Sequence, residues 1–298
     1  MKLFRRLLLA ISATTAVGGV SMVAAGFYLS EPANRSVRPP PAELAVVDVA
    51  IPSPSGSTLA GWFVQGRPHA GAVVLMHGWT STRRSMLPRM QFLQDAGYSV
   101  LAFDFQAHGE SPGQRITFGH LESLDAEAAT AWMRKRLPEE KIGVIGVSLG
   151  GAAALLEPHG FHGDALVLES VFPDMDRAVG DRLSRYIGAM GRVVAEIFVA
   201  AIEPIIHVDG GTLRPIDRIH DVGAPVFVIA GTKDTYTTIE ETREMFARAS
   251  EPKQLWEVDG ARHVDLERFV RDEYRRRLLD FLGRYLRGET APVARSIP

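Results

Sequence analysis

Short, fully apolar runs alternate with helical patterns through most of this 298-residue chain. Runs that are apolar on both faces are typical of parallel strands covered by helices on each side of the sheet. The intervening segments carry the helical spacing that such covering helices need. The alternation therefore predicts an α/β fold, with a mostly parallel central sheet and helices on both faces. The runs are Ala72–Met76, Val100–Phe103, Ile142–Ile145, Ala165–Leu168 and Val226–Ala230, and the predicted helices span residues 84–96, 121–137, 149–156 and 239–249.

Further elements are predicted on either side of this alternating region. Residues 44–51 and 59–64 flank the turn cluster Ser53–Ser57, which is typical of a β-hairpin. Gln254–Val258 predicts a last strand, and residues 266–287 predict a last helix.

One connection is much longer than the others. About 55 residues separate the strand ending near Glu169 from the one starting at Val226, against a median connection of about 4–6 residues. We therefore predict a helical lid insertion at about 171–215. Its apolar middle has two open interpretations, which are packing on the sheet and an acyl pocket or membrane-facing patch above an active site. The apolar positions are Ile187, Met190, Val193, Val194, Ile197, Phe198, Ala201, Ile202 and Ile205.

The N-terminus has the pattern of a membrane signal. Lys2, Arg5 and Arg6 precede a run of about 23 uncharged residues, Leu7–Leu29, and a helix needs roughly 20 apolar residues to cross a bilayer. Segment 1–30 is predicted as a transmembrane anchor or a cleaved signal, with an ordinary helix as the remaining alternative. Because basic residues favour the cytoplasmic side, the rest of the chain is expected outside the cytoplasm, anchored to a membrane or exported.

The remaining boundaries follow from local composition. Segment 31–43 contains three successive prolines and predicts a stiff linker. A single domain, large enough to contain an active site, is predicted over residues 44–288. Residues 289–298 are predicted to form a C-terminal tail. The sequence makes no prediction of oligomeric state.

Composition excludes several classes of function. The 33 Lys and Arg residues nearly balance the 35 Asp and Glu residues, so no nucleic-acid partner is expected. The chain has no Cys, which excludes a disulfide scaffold, a thiolate zinc site and a cysteine nucleophile.

The strongest chemical signal is Gly146-Val147-Ser148-Leu149-Gly150. It lies between a buried strand and a helical pattern, the context of a nucleophile elbow, in which a serine sits on a sharp strand-to-helix turn. Glycines flank the serine because side chains there would collide across the turn. The Leu149 N–H, at the start of the helix, is the first candidate for an oxyanion hole.

A serine nucleophile needs a base, and the base needs an acid to orient it. In a strand–turn–helix hydrolase the chain order is serine, acid, histidine, and His263 is the only histidine after Val226. Asp234 follows the preceding strand and is the predicted acid. Glu169 also ends a strand and remains the rival acid.

The loop after Met76 is expected to supply the second oxyanion donor. It reads His77-Gly78-Trp79, and the Trp79 N–H is the candidate because the adjacent glycine lets backbone approach a substrate. His77 is interpreted as structural. The segment around His108 is interpreted as scaffold near the site, with substrate contact as the alternative.

Together these motifs resemble the α/β-hydrolase superfamily, and within it the serine-aminopeptidase-like branch. The resemblance covers most of residues 44–286. The stretch after Asp234, Thr235-Tyr236-Thr237-Thr238, departs from relatives that have a proline-containing helix entry there. The motifs that carry the resemblance are His77-Gly78, Asp104 with His108-Gly109-Glu110-Ser111, Gly146–Gly150, Gly231–Asp234 and Gly260–His263.

The resemblance implies acyl transfer to water. The expected protein is a serine hydrolase that cleaves a carboxylic ester, or a related acyl bond, of a small-molecule or lipid substrate, and it needs no cofactor and no metal. One alternative is a peptidase, whose substrate amino group would bind lid carboxylates such as Asp174, Asp176 or Asp181. The other is a non-catalytic binding module at a membrane.

Overall fold

An eight-stranded sheet forms the centre of the computed structural model, which describes residues 19–289. Its order is β10-β9-β8-β7-β4-β5-β3-β2, and β3 is the one strand of this sheet that runs opposite to the other seven. A separate short pair joins β1 to β6. The strands are β1 (Ala33–Asn34), β2 (Val47–Pro52), β3 (Thr58–Val64), β4 (Ala72–Met76), β5 (Ser99–Phe103), β6 (His108–Gly109), β7 (Ile142–Val147), β8 (Ala165–Glu169), β9 (Val226–Gly231) and β10 (Lys253–Val258).

Helices cover both faces of this sheet, as the apolar runs predict. Along β4, Val73 and Leu75 pack into the core on one face, while Val74 and Met76 pack into the core on the other. Alternate side chains of a strand point to opposite faces, so a strand buried on both must be apolar throughout. The helices are α1 (Leu87–Asp95), α2 (His120–Arg136), α3 (Leu149–Leu155), α4 (Met175–Ile187), α5 (Met190–Ile206), α6 (Ile239–Arg248), α7 (Leu266–Phe269) and α8 (Arg271–Leu286).

Some element boundaries differ from the sequence expectation. The predicted helix over 84–96 begins instead as a 3₁₀ turn, Arg83–Met86, before α1. The single predicted helix over 266–287 is divided into α7 and α8, because Val270 has backbone angles outside the helical region, φ −132° and ψ 51°.

The long connection between β8 and β9 is a helical insertion, as predicted. Helices α4 and α5 pack against each other through an apolar cluster of their own. Close approach is possible near their junction because Gly191 lies against the backbone of Ser184, where a Cβ would overlap it.

The segment before β2 lies against the domain. Residues 19–29 are helical, and Ala25 and Leu29 pack against the insertion cluster. Segment 31–43, predicted as a linker, is held by the pairing of β1 with β6 and by a 2.7 Å hydrogen bond from Asn34 Nδ2 to the Ser111 carbonyl.

The membrane-spanning prediction falls mostly on residues outside the described part. Within residues 19–289, no helix combines the length and the apolar character needed to cross a bilayer. Residues 1–18, which hold the basic opening and most of the uncharged run, lie outside the described range, as does the predicted tail from residue 290 onward.

Candidate active site

Ser148 sits on the turn between β7 and α3. Its backbone is in a strained region, with φ 50° and ψ −112°, which L-residues rarely occupy. The flanking glycines explain how the turn closes. A Cβ on Gly146 would overlap the backbone of Gly151, and a Cβ on Gly150 would overlap the carbonyl of Met76.

Asp234 and His263 are joined directly. His263 Nδ1 lies 2.8 Å from Asp234 Oδ2, and the aspartate side chain is fully buried. The other carboxylate oxygen accepts backbone N–H bonds from Tyr236 and Thr237, at 2.8 and 3.1 Å. The carboxylate is therefore fixed on both sides, and Nε2 is the histidine nitrogen left for chemistry.

The loops that carry these two residues are also joined. Lys233 donates its N–H to the Ala261 carbonyl at 2.8 Å. A Cβ on Gly231 would overlap that carbonyl, so only glycine permits the approach. The parallel pair β9 and β10 thus sets the spacing of the acid and the histidine.

A cavity of about 590 Å³ brings Ser148 and His263 into one site. Gly78 and Trp79 line the same cavity. Among the hydrogen bonds of residues 19–289, none joins Ser148 to His263. Catalytic hydrogen bonds without bound substrate are often long and tighten when substrate binds.

The two predicted oxyanion donors lie beside the serine. A Cβ on Gly78 would be 3.7 Å from that of Ser148, so the loop carrying Trp79 runs next to the elbow. Leu149 is the first residue of α3, where N–H groups have no carbonyl partner within the helix. No carbonyl in the described part of the chain accepts the Trp79 N–H.

His77 has a structural role. Its Nδ1 donates to the Gly78 carbonyl at 2.8 Å, and its Nε2 accepts the Phe105 N–H at 3.2 Å. Burial, with help from nearby His108, holds the pKa of His77 well below its usual value. A neutral ring with both nitrogens occupied is a brace for the loop and has no free nitrogen for a second base.

His108 is held in the same way. Its Nδ1 donates to the Gln106 carbonyl at 2.8 Å, and its Nε2 accepts the Thr80 N–H at 3.2 Å. Burial lowers the pKa of this ring as well. The imidazole therefore ties the loop after β5 to the loop that carries Trp79.

Glu169, the rival acid, binds side chains other than His263. It forms a buried ion pair with Arg89, at 2.6 Å from Nη2, and accepts a hydrogen bond from the Tyr274 hydroxyl. None of the hydrogen bonds among described residues joins it to His263.

The lid carboxylates considered for a peptidase do not line this cavity. Asp174 caps α4 and lies 3.2 Å from Arg177, Asp176 lines a separate groove, and Asp181 is buried. Over residues 19–289, no group of three His, Asp or Glu side chains is arranged as a metal site.

Several cavity residues were not assigned to the site from the sequence, and three of them bear on its chemistry. Ser170, Arg182 and Tyr236 all line the space in front of Ser148. Ser170 had a usable signal, because it directly follows a buried parallel strand and ligands bind at those carboxyl ends. Arg182 had none, since its orientation depends on how the insertion packs, whereas Tyr236 lies two residues after Asp234 in the stretch that departs from relatives.

The sequence model of the alpha/beta hydrolase family matches residues 73–278. The uncharacterized protein YqkD of Bacillus subtilis is 24% identical over 241 residues, which cover 78% of this chain and 77% of that protein. The uncharacterized protein Rv2307c of Mycobacterium tuberculosis is 30% identical over 227 residues, covering 74% of this chain and 73% of that protein.

Solved structures show the same fold. The Pyrococcus furiosus esterase Pf2001 has a TM-score of 0.71 and 29% sequence identity, covering 87% of this chain and 98% of its own. The alpha/beta hydrolase GrgF from a Penicillium species has a TM-score of 0.63 at 21% identity, covering 81% and 99%. The family match spans more than half of the chain and includes Ser148, Asp234 and His263. The chain belongs to the alpha/beta hydrolase family.

Proposed function

We propose that this protein is a serine hydrolase that cleaves a carboxylic ester, or a related acyl bond, through an acyl-enzyme. The observation that carries the proposal is the Asp234–His263 hydrogen bond at a cavity that also contains Ser148 on its strained turn. The esterase named among the solved structures supports an ester as substrate.

In the first half-reaction, Ser148 Oγ bonds to the acyl carbon while His263 Nε2 takes the hydroxyl proton. The carbonyl electron pair moves onto oxygen, where the Trp79 and Leu149 N–H groups stabilise it. The carbon–oxygen bond to the alcohol then breaks, and His263 gives its proton to the leaving oxygen. Asp234 keeps the imidazole in the productive tautomer and stabilises the imidazolium.

In the second half-reaction, water takes the place of the alcohol. Its oxygen bonds to the acyl carbon while His263 takes a proton. The bond from that carbon to Ser148 Oγ then breaks, the serine regains its proton from His263, and the acid leaves.

Active-site labelling tests this proposal. We expect a fluorophosphonate to label the full-length protein, and we expect Ser148→Ala to abolish labelling and ester turnover. Ser85→Ala is the matched control, because Ser85 lines the same cavity but its hydroxyl bonds the Thr82 carbonyl. Labelling that persists in Ser148→Ala, or a folded wild type that stays unlabelled, would refute the assignment and favour the binding module.

We also propose that the N-terminal segment holds the domain at a membrane, outside the cytoplasm. The proposal is supported by the basic opening and the uncharged run Leu7–Leu29. Large apolar side chains are also exposed on residues 19–29 and on the insertion, including Val20 (71% exposed), Tyr28 (74%) and Tyr186 (84%).

Cell fractionation tests the location. We expect the full-length chain in the carbonate-washed membrane fraction, with its domain digested by protease added outside the cytoplasmic membrane. A mature N-terminus near residue 26 would identify a cleaved signal instead. Recovery of the intact chain in the cytoplasm would contradict both forms.

A further inference from the structure

The catalytic cavity is lined by two arginines with different surroundings. Arg89 lies 2.6 Å from Glu169 and 2.9 Å from Asp265, so carboxylates on two sides balance its charge. Its guanidinium also contacts Tyr274. Arg89 therefore belongs to a structural ion-pair network at the cavity wall.

Arg182 has no such partner. It projects from α4 of the insertion, and its Nη1 donates to the Ala178 carbonyl at 2.6 Å. Within residues 19–289, no carboxylate oxygen lies within 4.0 Å of its guanidinium nitrogens, and Nε and Nη2 make no hydrogen bond. An arginine is protonated at all ordinary pH values, so this is a full positive charge at the cavity wall.

The two carboxylates whose charge acts on Arg182, Asp234 and Asp181, form no ion pair with it. Asp234 holds His263 and accepts two backbone N–H bonds. Asp181 is buried against Glu241, and burial raises its pKa. Both attract Arg182 only at distances beyond an ion pair.

Contacts place this cation close to the reacting groups. The Arg182 guanidinium lies over the ring of Tyr236, 5.0 Å from its centre. The same ring meets His263 edge-on, with centres 5.5 Å apart. Tyr236 therefore links the arginine to the predicted catalytic base.

Ser170 provides an independent second observation. The residue lines the same cavity, and its hydroxyl is buried without a hydrogen-bond partner among the described residues. A buried hydroxyl without a partner is costly unless a ligand satisfies it. The residue is also held at φ 49°, a backbone conformation that non-glycine residues rarely adopt.

We propose that Arg182 and Ser170 form an anion subsite, and that the substrate carries a carboxylate or phosphate in addition to its scissile acyl bond. This inference rests on the proposed hydrolase function and narrows its substrate class. Leu29, Met86 and Val264 line the same cavity and provide the apolar contacts for the rest of the substrate. Arg182 is thus a specificity residue, which binds the charged group of the substrate while Ser148 attacks the acyl carbon.

Matched ester pairs test the subsite. The acyl-side pair is p-nitrophenyl pentanoate and mono-p-nitrophenyl glutarate, and the alcohol-side pair is 1-decanoylglycerol and its 3-phosphate. We expect the full-length wild type to prefer the charged member of one pair. Arg182→Gln should lower kcat/KM for that member by about tenfold or more and leave the neutral member nearly unchanged. Ser170→Ala should cause a smaller loss of the same kind, and Arg182→Lys should restore part of the preference.

Arg185→Gln is the matched control. Arg185 lies on the same helix and also over Tyr236, at 4.7 Å, but it is exposed and bonds Thr235 outside the catalytic cavity. This variant should keep the wild-type preference. Circular dichroism and melting temperature verify that each variant is folded.

Each outcome has a defined meaning. Preference for the glutarate places the anion on the acyl side, and preference for the phosphate places it on the alcohol side. A wild type without preference, or an Arg182→Gln loss that is equal for both members, would overturn the subsite while leaving the hydrolase intact. If no ester is turned over, the hydrolase proposal fails, and calorimetric binding of glutarate and glycerol 3-phosphate decides the subsite. Binding lost in Arg182→Gln supports it, and absent or unchanged binding rejects it.

Discussion

Two acidic residues near the ends of neighbouring strands have different roles because different side chains contact them. Glu169 ends β8, and Asp234 lies shortly after β9, its parallel neighbour. Arg89 and Tyr274 bind the first, whereas the loop after β10 brings His263 to the second. The chemistry of each carboxylate is thus decided by its partner.

Asp234→Asn should be a catalytic variant. The amide keeps the shape but favours the wrong histidine tautomer and no longer stabilises the imidazolium, so we expect kcat to fall roughly a thousandfold or more. Steady-state ester kinetics measure this, with the melting temperature as a check on folding. A fall of less than about tenfold, the most that loss of one weak hydrogen bond would give, would contradict the assigned role.

Glu169→Gln should be a stability variant. Its buried charge is lost, but Asp265 still pairs with Arg89, so we expect a loss of about 1.5–3 kcal/mol in the free energy of unfolding. The kcat of the folded fraction should stay close to wild type. Chemical denaturation and active-site titration separate the two effects, and a catalytic defect with unchanged stability would instead support Glu169 as the acid.

At the scale of elements, the sequence predicts those whose signal is local. The apolar runs locate β4 and β7 because strands buried on both faces must be apolar throughout. The pairing of Ala33–Asn34 with residues 108–109 escapes prediction because two residues are too short for a periodic pattern. The break at Val270 also carries no proline or glycine signal.

The same limit applies to the site. Ser148 can be chosen as the nucleophile from the sequence because the glycines on either side of it indicate a tight turn. By contrast, sequence alone leaves Asp234 and Glu169 as rivals, since both follow buried strands. The contribution of Arg182 depends on the packing of α4 over the cavity, which no local pattern encodes.

The helix of residues 19–29 packs on α5 through a glycine. A Cβ on Gly26 would lie 3.0 Å from Ile205 Cδ1 and 3.2 Å from Ile202 Cγ1, which leaves no room for a larger side chain. Leu29, three residues further along, lines the catalytic cavity. The contact therefore connects the N-terminal helix to the site.

Gly26→Leu should separate this helix from the insertion. Overpacking typically costs about 1–3 kcal/mol, and we expect faster hydrogen exchange in residues 19–29 and a higher KM. Gly19→Leu is the matched control, because a Cβ there meets nothing within 4 Å. Equal behaviour of the two variants in hydrogen-exchange mass spectrometry would contradict the packing.

For the whole molecule, buried acids link stability to pH. Burial raises the pKa of Asp125 to about 7, of Glu157 to about 9 and of Glu241 to about 7. The folded chain therefore holds protons that the unfolded chain has already released, so stability falls as pH rises through this range.

Glu241 gives the clearest test, because Asp181 of α4 faces it from the insertion. The proton that Glu241 keeps in the folded chain stabilises it fully below pH 4.5, the ordinary pKa of this side chain. The stabilisation is lost as pH rises through about 7, the pKa of Glu241 in the folded chain. The charges of Arg182, Arg192 and Asp234 act on Asp181. The Thr238 N–H donates to the Glu241 carboxylate at the start of α6.

Glu241→Gln should flatten the decline of melting temperature between about pH 4.5 and 7, and should leave the variant more stable than wild type at pH 8. Glutamine can still serve the capping box with Thr238. Exposed Glu240→Gln is the control and should keep the wild-type slope. Parallel slopes for wild type and Glu241→Gln would show that the pair does not govern this dependence.

The pairing of β1 with β6 also limits how freely segment 31–43 can move relative to the domain. A free segment as long as residues 31–43 would span about 20 Å and let an attached domain swing. Here Ala33–Asn34 are fastened to His108–Gly109, and Arg35 donates to the Thr80 carbonyl at 2.8 Å. If the residues before the helix of residues 19–29 anchor the chain in a bilayer, these contacts would restrict the orientation of the domain relative to the membrane, so that one side of it faces the lipid.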